Sequence, residues 1–219
     1  MATATSAPRT FAALAAALLC FASATAQESE ALQARIDALA AGVDQLESVE
    51  AIKRIQNAYG HYVELGLWQD FADLFGDTAV AHYPDGDLSR EQILDLFLQR
   101  VGGGRLGIQE GRIYPHIVLA PVVTLDPDGV TAHARWRIVA MLGGLGGNAT
   151  WAYGLYENRY VRKDGVWSID DLSTTMQITG AYDRGLNASA PAPLDQPTVP
   201  FHFDGDEAGA PFPAVSASA

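Results

Sequence analysis

Between Val130 and Leu142 every second residue is apolar: Val130, Ala132, Ala134, Trp136, Ile138, Ala140 and Leu142. His133, Arg135 and Arg137 stand among the residues between them. A period of two puts all the apolar side chains on one face of an extended strand, whereas a helix would spread them around its axis. The same kind of segment recurs on both sides. Ile113 to Leu125 precedes it across a turn at Asp126-Pro127-Asp128-Gly129. Thr150 to Arg162 and Val166 to Thr179 follow it, separated by Asp164-Gly165. Short turns join antiparallel neighbours, so the pattern predicts a four-stranded meander with its even face over a core. Gly143-Gly144-Leu145-Gly146-Gly147 reads as one long hairpin connection.

Upstream, the apolar period changes to that of a helix. Leu32, Ile36, Leu39, Val43 and Leu46 recur every three or four residues among charged ones, which predicts an amphipathic helix over 28–50 serving as a lid, an arm or an oligomer contact. Ser48 marks the start of a new helix running to Leu65, with Tyr59, Tyr62 and Leu65 on its apolar stripe. After the Gly66 break, Trp68, Phe71, Ala72, Leu74 and Phe75 read as a second short helix, followed by a strand from Thr78 to Tyr83 and a turn at 84–87. Ser89 is placed to cap a helix over Arg90 to Val101. Gly102-Gly103-Gly104-Arg105-Leu106-Gly107 spells GxGxxG, but behind a helix instead of a strand, so it reads as a flexible loop and not as a dinucleotide site.

Residues 1–26 carry Arg9, an apolar run and Ala24-Thr25-Ala26, the pattern of a cleavable leader. This predicts a periplasmic or secreted protein cut after Ala26. The apolar run falls short of the roughly 20 residues that cross a bilayer. The single cysteine, Cys20, lies inside the leader, so the remaining chain of about 193 residues has no thiol for catalysis, disulfides or metal. The expected domains are a helix over 27–47, one α+β domain over 48–180 and a Pro- and Ala-rich tail over 181–219 with Phe201-His202-Phe203 as its apolar anchor. A net charge of −12 makes nucleic acid a poor partner, because phosphate contacts need clustered Lys and Arg. The histidines offer no HxH or HExxH pair, so no metal is expected.

The order of these elements, with YVELGLW (62–68), FADLF (71–75) and YENRYVRKDGVW (156–167), resembles the NTF2-like superfamily in its SnoaL-like branch. The resemblance covers about residues 48–180. It implies a cone-shaped α+β fold, a curved antiparallel sheet wrapped on N-terminal helices around a pocket. It also implies homo-oligomers, dimers or trimers. The superfamily includes dehydratases, isomerases, cyclases, hydrolases and noncatalytic binders, so fold alone does not assign a reaction.

Six residues are candidates for the site. Glu64, five residues after Tyr59, would be a desolvated base if it points into the cone, or an ordinary solvated carboxylate at a helix end if it does not. Laid on scytalone dehydratase, Glu64 takes the acidic position of a Tyr-Asp pair, Tyr83 a pocket tyrosine and His116 the first active-site histidine. The tyrosine partner of that acid is Val63 here, and the second histidine falls near Ala140. Laid on ketosteroid isomerase, Tyr83 takes the position of the base and Tyr59 that of the oxyanion-hole tyrosine. Phenols there can hydrogen-bond a developing oxyanion, and a neutral imidazole can shuttle a proton near neutral pH. Trp136 and Tyr156 share the apolar side of adjacent strands and would form an aromatic slot for substrate, with ordinary core packing as the other reading. Glu64, Tyr83 and His116 as catalytic groups and Tyr59, Trp136 and Tyr156 as substrate contacts describe a cofactor-free lyase for a small aromatic molecule, acting by dehydration or by retro-aldol C–C cleavage such as formaldehyde loss from a lignin-type dimer. An isomerase and a periplasmic small-molecule binder are the alternatives.

Overall fold

The computed structural model describes residues 8–83, 86–184 and 190–191, with side chains over 26–83 and 86–184. The chain divides into two compact units, residues 1–47 and 48–219. The Phe201 to Phe203 anchor expected in the tail lies outside the described residues.

The break expected at Ser48 is absent: one helix, α1, runs from Pro8 to Leu65. Ser48 is buried within it and caps nothing. The residues around it, Leu46, Glu47, Val49 and Glu50, include no Gly or Pro, so nothing local stops the ladder of i to i−4 bonds. In the first unit the stripe Leu32, Ile36, Leu39, Val43 and Leu46 is exposed along its length. No described helix is long and apolar enough to cross a membrane.

In the second unit α1 supplies Ile52, Gln56, Tyr59 and Val63, all buried on one face. Gly66, at φ 66°, ends the helix in the left-handed region that glycine enters without strain. The helix expected over Trp68 to Phe75 stops after five residues, α2 (Trp68–Ala72), and Phe75 opens strand β1 (Phe75–Tyr83). β2 (Gly86–Ser89) turns back on β1 and delivers Ser89 to cap α3 (Arg90–Leu96). Ser89 N–H donates to Gln92 Oε1 at 2.8 Å while Ser89 Oγ accepts from Gln92 N–H, a reciprocal capping box. A wider π-helical turn, Phe97–Val101, continues α3.

The long strands follow where alternation places them: β4 (His116–Leu125), β5 (Thr131–Gly144), β6 (Thr150–Lys163) and β7 (Val166–Ala181), each antiparallel to the next. Tyr114-Pro115 splits off the two-residue β3 (Arg112–Ile113), which pairs with the end of β5. β8 (Ala190–Pro191) adds a short pairing to β7. The sheet is mixed instead of purely antiparallel, because β1 lies parallel to β7. A strand reaching β7 from the far side of the helices has no hairpin to set its direction, and turn chemistry does not reveal that pairing. Ala132, Ala134, Trp136, Ile138 and Ala140 are buried as the alternation requires, while the end residues Val130 and Leu142 are exposed.

On the opposite face of the sheet, charges pair across strands: Arg135 with Glu157 and Arg159 with Asp170. At its edge His82 contacts Asp87 of β2 through Nδ1 at 2.7 Å and Asp171 of β7 through Nε2 at 2.9 Å. A neutral imidazole has one N–H and satisfies one carboxylate; both contacts together require the imidazolium. The Asp87 bond and then the Asp171 bond raise the His82 pKa, against the opposing effect of burial.

α1 seats against β4 at Gly60, where any side chain would run into the His116 carbonyl. Gly60→Ala should therefore cost about 1–3 kcal/mol by forcing the helix outward, read from the urea midpoint at unchanged slope. His82 gives a signed pH effect. Its contribution is complete below the ordinary histidine pKa of 6.5 and is lost as pH rises through the raised folded-state value. The stability gap between wild type and His82→Leu should narrow from acid to alkaline pH, and a gap that is constant or widens would disprove the double contact.

Candidate active site

Tyr59 stands at the centre of the buried aromatic cluster. Its ring centroid lies 4.8 Å from Phe71, 6.4 Å from Phe75, 5.4 Å from Tyr156 and 6.4 Å from His116. Four elements deliver these rings: α1, the α2–β1 segment, β6 and β4. Tyr59 and Tyr156 are picked out by phase on their own elements and His116 by resemblance, and packing brings the four elements together.

The hydroxyls form a chain. Tyr59 and Tyr156 are joined at 3.2 Å, and the Tyr83 hydroxyl lies near enough to Tyr59 for each to perturb the other's pKa. Burial pushes all three phenols above their usual pKa, so they stay protonated and act as hydrogen-bond donors. Tyr83 also lines a partly open cavity of about 690 Å³ between β2 and α3, with Leu88, Gln92 and Leu96 and the charged Glu91, Asp95 and Arg100.

His116 lies beside Tyr59. Its Nδ1 is 3.2 Å from the Tyr114 carbonyl, which can only accept, so Nδ1 carries the proton and Nε2 keeps its lone pair. The residue as a whole is half-buried, and burial lowers the pKa of its ring, against a smaller raising effect of the Tyr114 bond. At neutral pH it is an uncharged imidazole with a free basic nitrogen.

Glu64 is not desolvated: it is exposed on the last turn of α1, off the face carrying Tyr59 and Val63. At 100° per residue, a side chain five positions after Tyr59 sits about 140° around the helix, which leaves the core face. The aromatic slot expected from Trp136 and Tyr156 is packed shut. Trp136 is 1% and Tyr156 3% exposed, both belong to the core, and neither lines the Tyr83 cavity.

Trp136 instead enters a buried polar network. Its indole N–H donates to the Tyr160 hydroxyl at 3.1 Å, Tyr160 donates to Gln56 Oε1 at 2.6 Å, and Asn158 Nδ2 donates to Gln56 Oε1 at 2.9 Å. Among the described residues Gln56 Nε2 and Asn158 Oδ1 have no protein partner, nor does the hydroxyl of Tyr114. The sequence reading passed over Gln56 and Asn158. The signal was present: Gln56 falls on the apolar phase of α1 with Ile52, Tyr59 and Val63, and Asn158 shares the parity of Tyr156 and Tyr160 on β6. A polar residue at a core-phase position is a buried group that needs partners.

A family model described as a SnoaL-like domain matches residues 44–173. Among solved structures, the chain is similar to a putative scytalone dehydratase from Novosphingobium aromaticivorans, at 18% identity and TM-score 0.57 over 70% of this chain and 97% of that one. It is similar to the hexachlorocyclohexane dehydrochlorinase LinA-type3 from Novosphingobium barchaimii, at 18% identity and TM-score 0.54 over 72% of this chain and 99% of that one. A putative aromatic ring hydroxylase from Novosphingobium aromaticivorans matches at 20% identity and TM-score 0.54 over 62% of this chain and 94% of that one. At these identities the likeness is one of fold: a helix followed by a curved open mixed sheet.

The network itself is testable. Tyr160→Phe removes the acceptor for Trp136 and a donor to Gln56, and should cost about 1–3 kcal/mol of unfolding free energy because buried groups are left unpaired. A loss well under 1 kcal/mol in a urea titration would mean that the network contributes no more than the burial of its rings.

Proposed function

Because this chain belongs to the SnoaL-like domain family of the NTF2-like superfamily, we propose that it is a cofactor-free lyase acting on a small aromatic or phenolic molecule. The bond broken is C–O, by dehydration, or C–C, by a retro-aldol step that releases an aldehyde such as formaldehyde. The observation that carries this reading is the uncharged His116 beside Tyr59, whose hydroxyl leads through Tyr83 to the wall of a cavity. The dehydratase and dehydrochlorinase named among the structural neighbours lend it support, since each name denotes loss of a small molecule from a neighbouring pair of carbons.

In the dehydration, His116 Nε2 takes a proton from the carbon next to a carbonyl, the electron pair forms the new C=C, and the adjacent C–O bond breaks. The imidazolium returns the proton to the departing hydroxide, giving water. In the retro-aldol form, Nε2 takes the proton of a hydroxyl, that oxygen becomes the carbonyl of the aldehyde as the C–C bond breaks, and the imidazolium protonates the carbon left behind. In both, Tyr83 with Tyr59 behind it hydrogen-bonds the substrate oxygen that gains negative charge. Their raised pKa values suit them to donation of a hydrogen bond and not to full proton transfer. Exposed Glu64 is assigned no step. An isomerase would use the same base and tyrosine pair, returning the proton to a different carbon.

Mass spectrometry of the protein incubated with aromatic diols, hydroxyketones and lignin-type dimers separates these readings. Loss of water or formaldehyde marks a lyase, altered retention at constant mass an isomerase, and no change a binder. On a turned-over substrate, His116→Ala should lower kcat by about 10²–10⁴ and Tyr83→Phe by about 10²–10³. kcat/KM should fall as pH drops through a His116 pKa below 6.5, because protonation consumes the basic nitrogen. Full turnover by His116→Ala would remove the assignment.

A further inference from the structure

The glycine-rich segment after α3 has no part in the proposed reaction, yet it is tied down at many points. Gly102 N–H donates to Phe97 O and Gly104 N–H to Leu98 O, both at 2.8 Å, and Gly107 N–H donates to Gly66 O at 3.0 Å. The Trp68 indole N–H donates to Arg105 O at 2.8 Å, and Gln109 Nε2 donates to Gly102 O at 2.8 Å. Gly103 and Gly104 hold φ of 62° and 75°, in the left-handed region where a side chain adds strain. The loop expected to be flexible is thus shaped by its bonds, and a partly open space lies beside it.

That space is a second cavity of about 560 Å³, walled by Arg105, Gln109, Glu110 and Arg112 on its polar side and by Leu106 and Ile108 on its apolar side. Arg112 is held in place, with its guanidinium 5.3 Å from the Tyr114 ring centroid. Elsewhere in a chain with 26 acids and 14 Lys and Arg, several arginines pair with acids, Arg90 with Asp73, Arg135 with Glu157 and Arg159 with Asp170. Neither Arg105 nor Arg112 has an acid partner among the described residues. Two guanidiniums against one carboxylate leave the cavity with a single positive charge, which suits a monoanion better than a phosphate dianion. Planar guanidinium forks match a carboxylate. Leu106 and Ile108, 70% and 75% exposed, offer apolar surface next to that charge.

We infer that this cavity binds a small aromatic monocarboxylate, with its carboxylate between Arg105 and Arg112 and its ring against Leu106 and Ile108. The site is separate from the Tyr83 cavity, and the inference does not depend on the proposed lyase activity. Titration calorimetry of the full chain with 4-hydroxybenzoate, 4-hydroxybenzyl alcohol and inorganic phosphate tests it. The benzoate should bind saturably and at least about tenfold tighter than the neutral alcohol, as expected for charge-assisted bonds. Arg105→Gln with Arg112→Gln should remove that preference and leave the alcohol unchanged. Arg112→Lys, which keeps the charge without the fork, should weaken the benzoate less than Arg112→Gln and covers the case in which the double variant does not fold. Equal binding of benzoate and alcohol, tighter binding of phosphate, no saturable binding, or a preference that survives substitution of the arginines would each overturn the inference.

Discussion

The close seating of α1 on β4 is the contact on which the rest of the domain depends. At Gly60 the helix backbone approaches the His116 carbonyl with no room for a side chain. One residue earlier, Tyr59 turns its ring into the cluster of Phe71, Phe75 and Tyr156. Helix, aromatic core and the candidate base are therefore positioned by one approach. A helix held further out would loosen the packing and separate the His116 imidazole from the tyrosine chain. Interiors pack too densely to absorb such a shift gradually.

Around that contact the domain buries several oxygen- and nitrogen-bearing side chains. Tyr59, Tyr156, Tyr160, Gln56 and Asn158 are all buried, and a hydroxyl or amide taken from water costs free energy unless it finds a partner. Most of them find one another. The same burial that demands pairing also sets chemical character, holding the phenols protonated and His116 uncharged. A core built this way is chemically prepared wherever it opens, and it opens at Tyr83.

Charge is sorted by face and by loop. The sheet surface turned away from the core pairs Arg135 and Arg159 with acids on neighbouring strands, and His82 joins β2 to β7 through two carboxylates. The glycine-rich loop and the strand after it depart from that pairing. Arg105 of the loop and Arg112 at the start of β3 stand beside exposed apolar surface, and the loop backbone is anchored by Trp68 and Gly66.

Periodicity along the chain was enough to place the four long strands, because alternation and turn residues act over a few neighbours and leave little freedom of register. It also placed Ser89 as a cap and Tyr59 on the inner face of α1. It did not place the helix break at Ser48, because a good capping residue does not interrupt a helix whose flanks all favour continuing. The parallel pairing of β1 with β7 and the solvent position of Glu64 depended on how distant elements meet. So did the closing of Trp136 into the network of Tyr160, Gln56 and Asn158. The sequence by itself determined the elements and which of their faces is apolar. Only the tertiary structure decided which buried groups share a partner, which one is left basic and where the core meets a cavity, since these depend on ångström-scale approach between residues up to about a hundred positions apart.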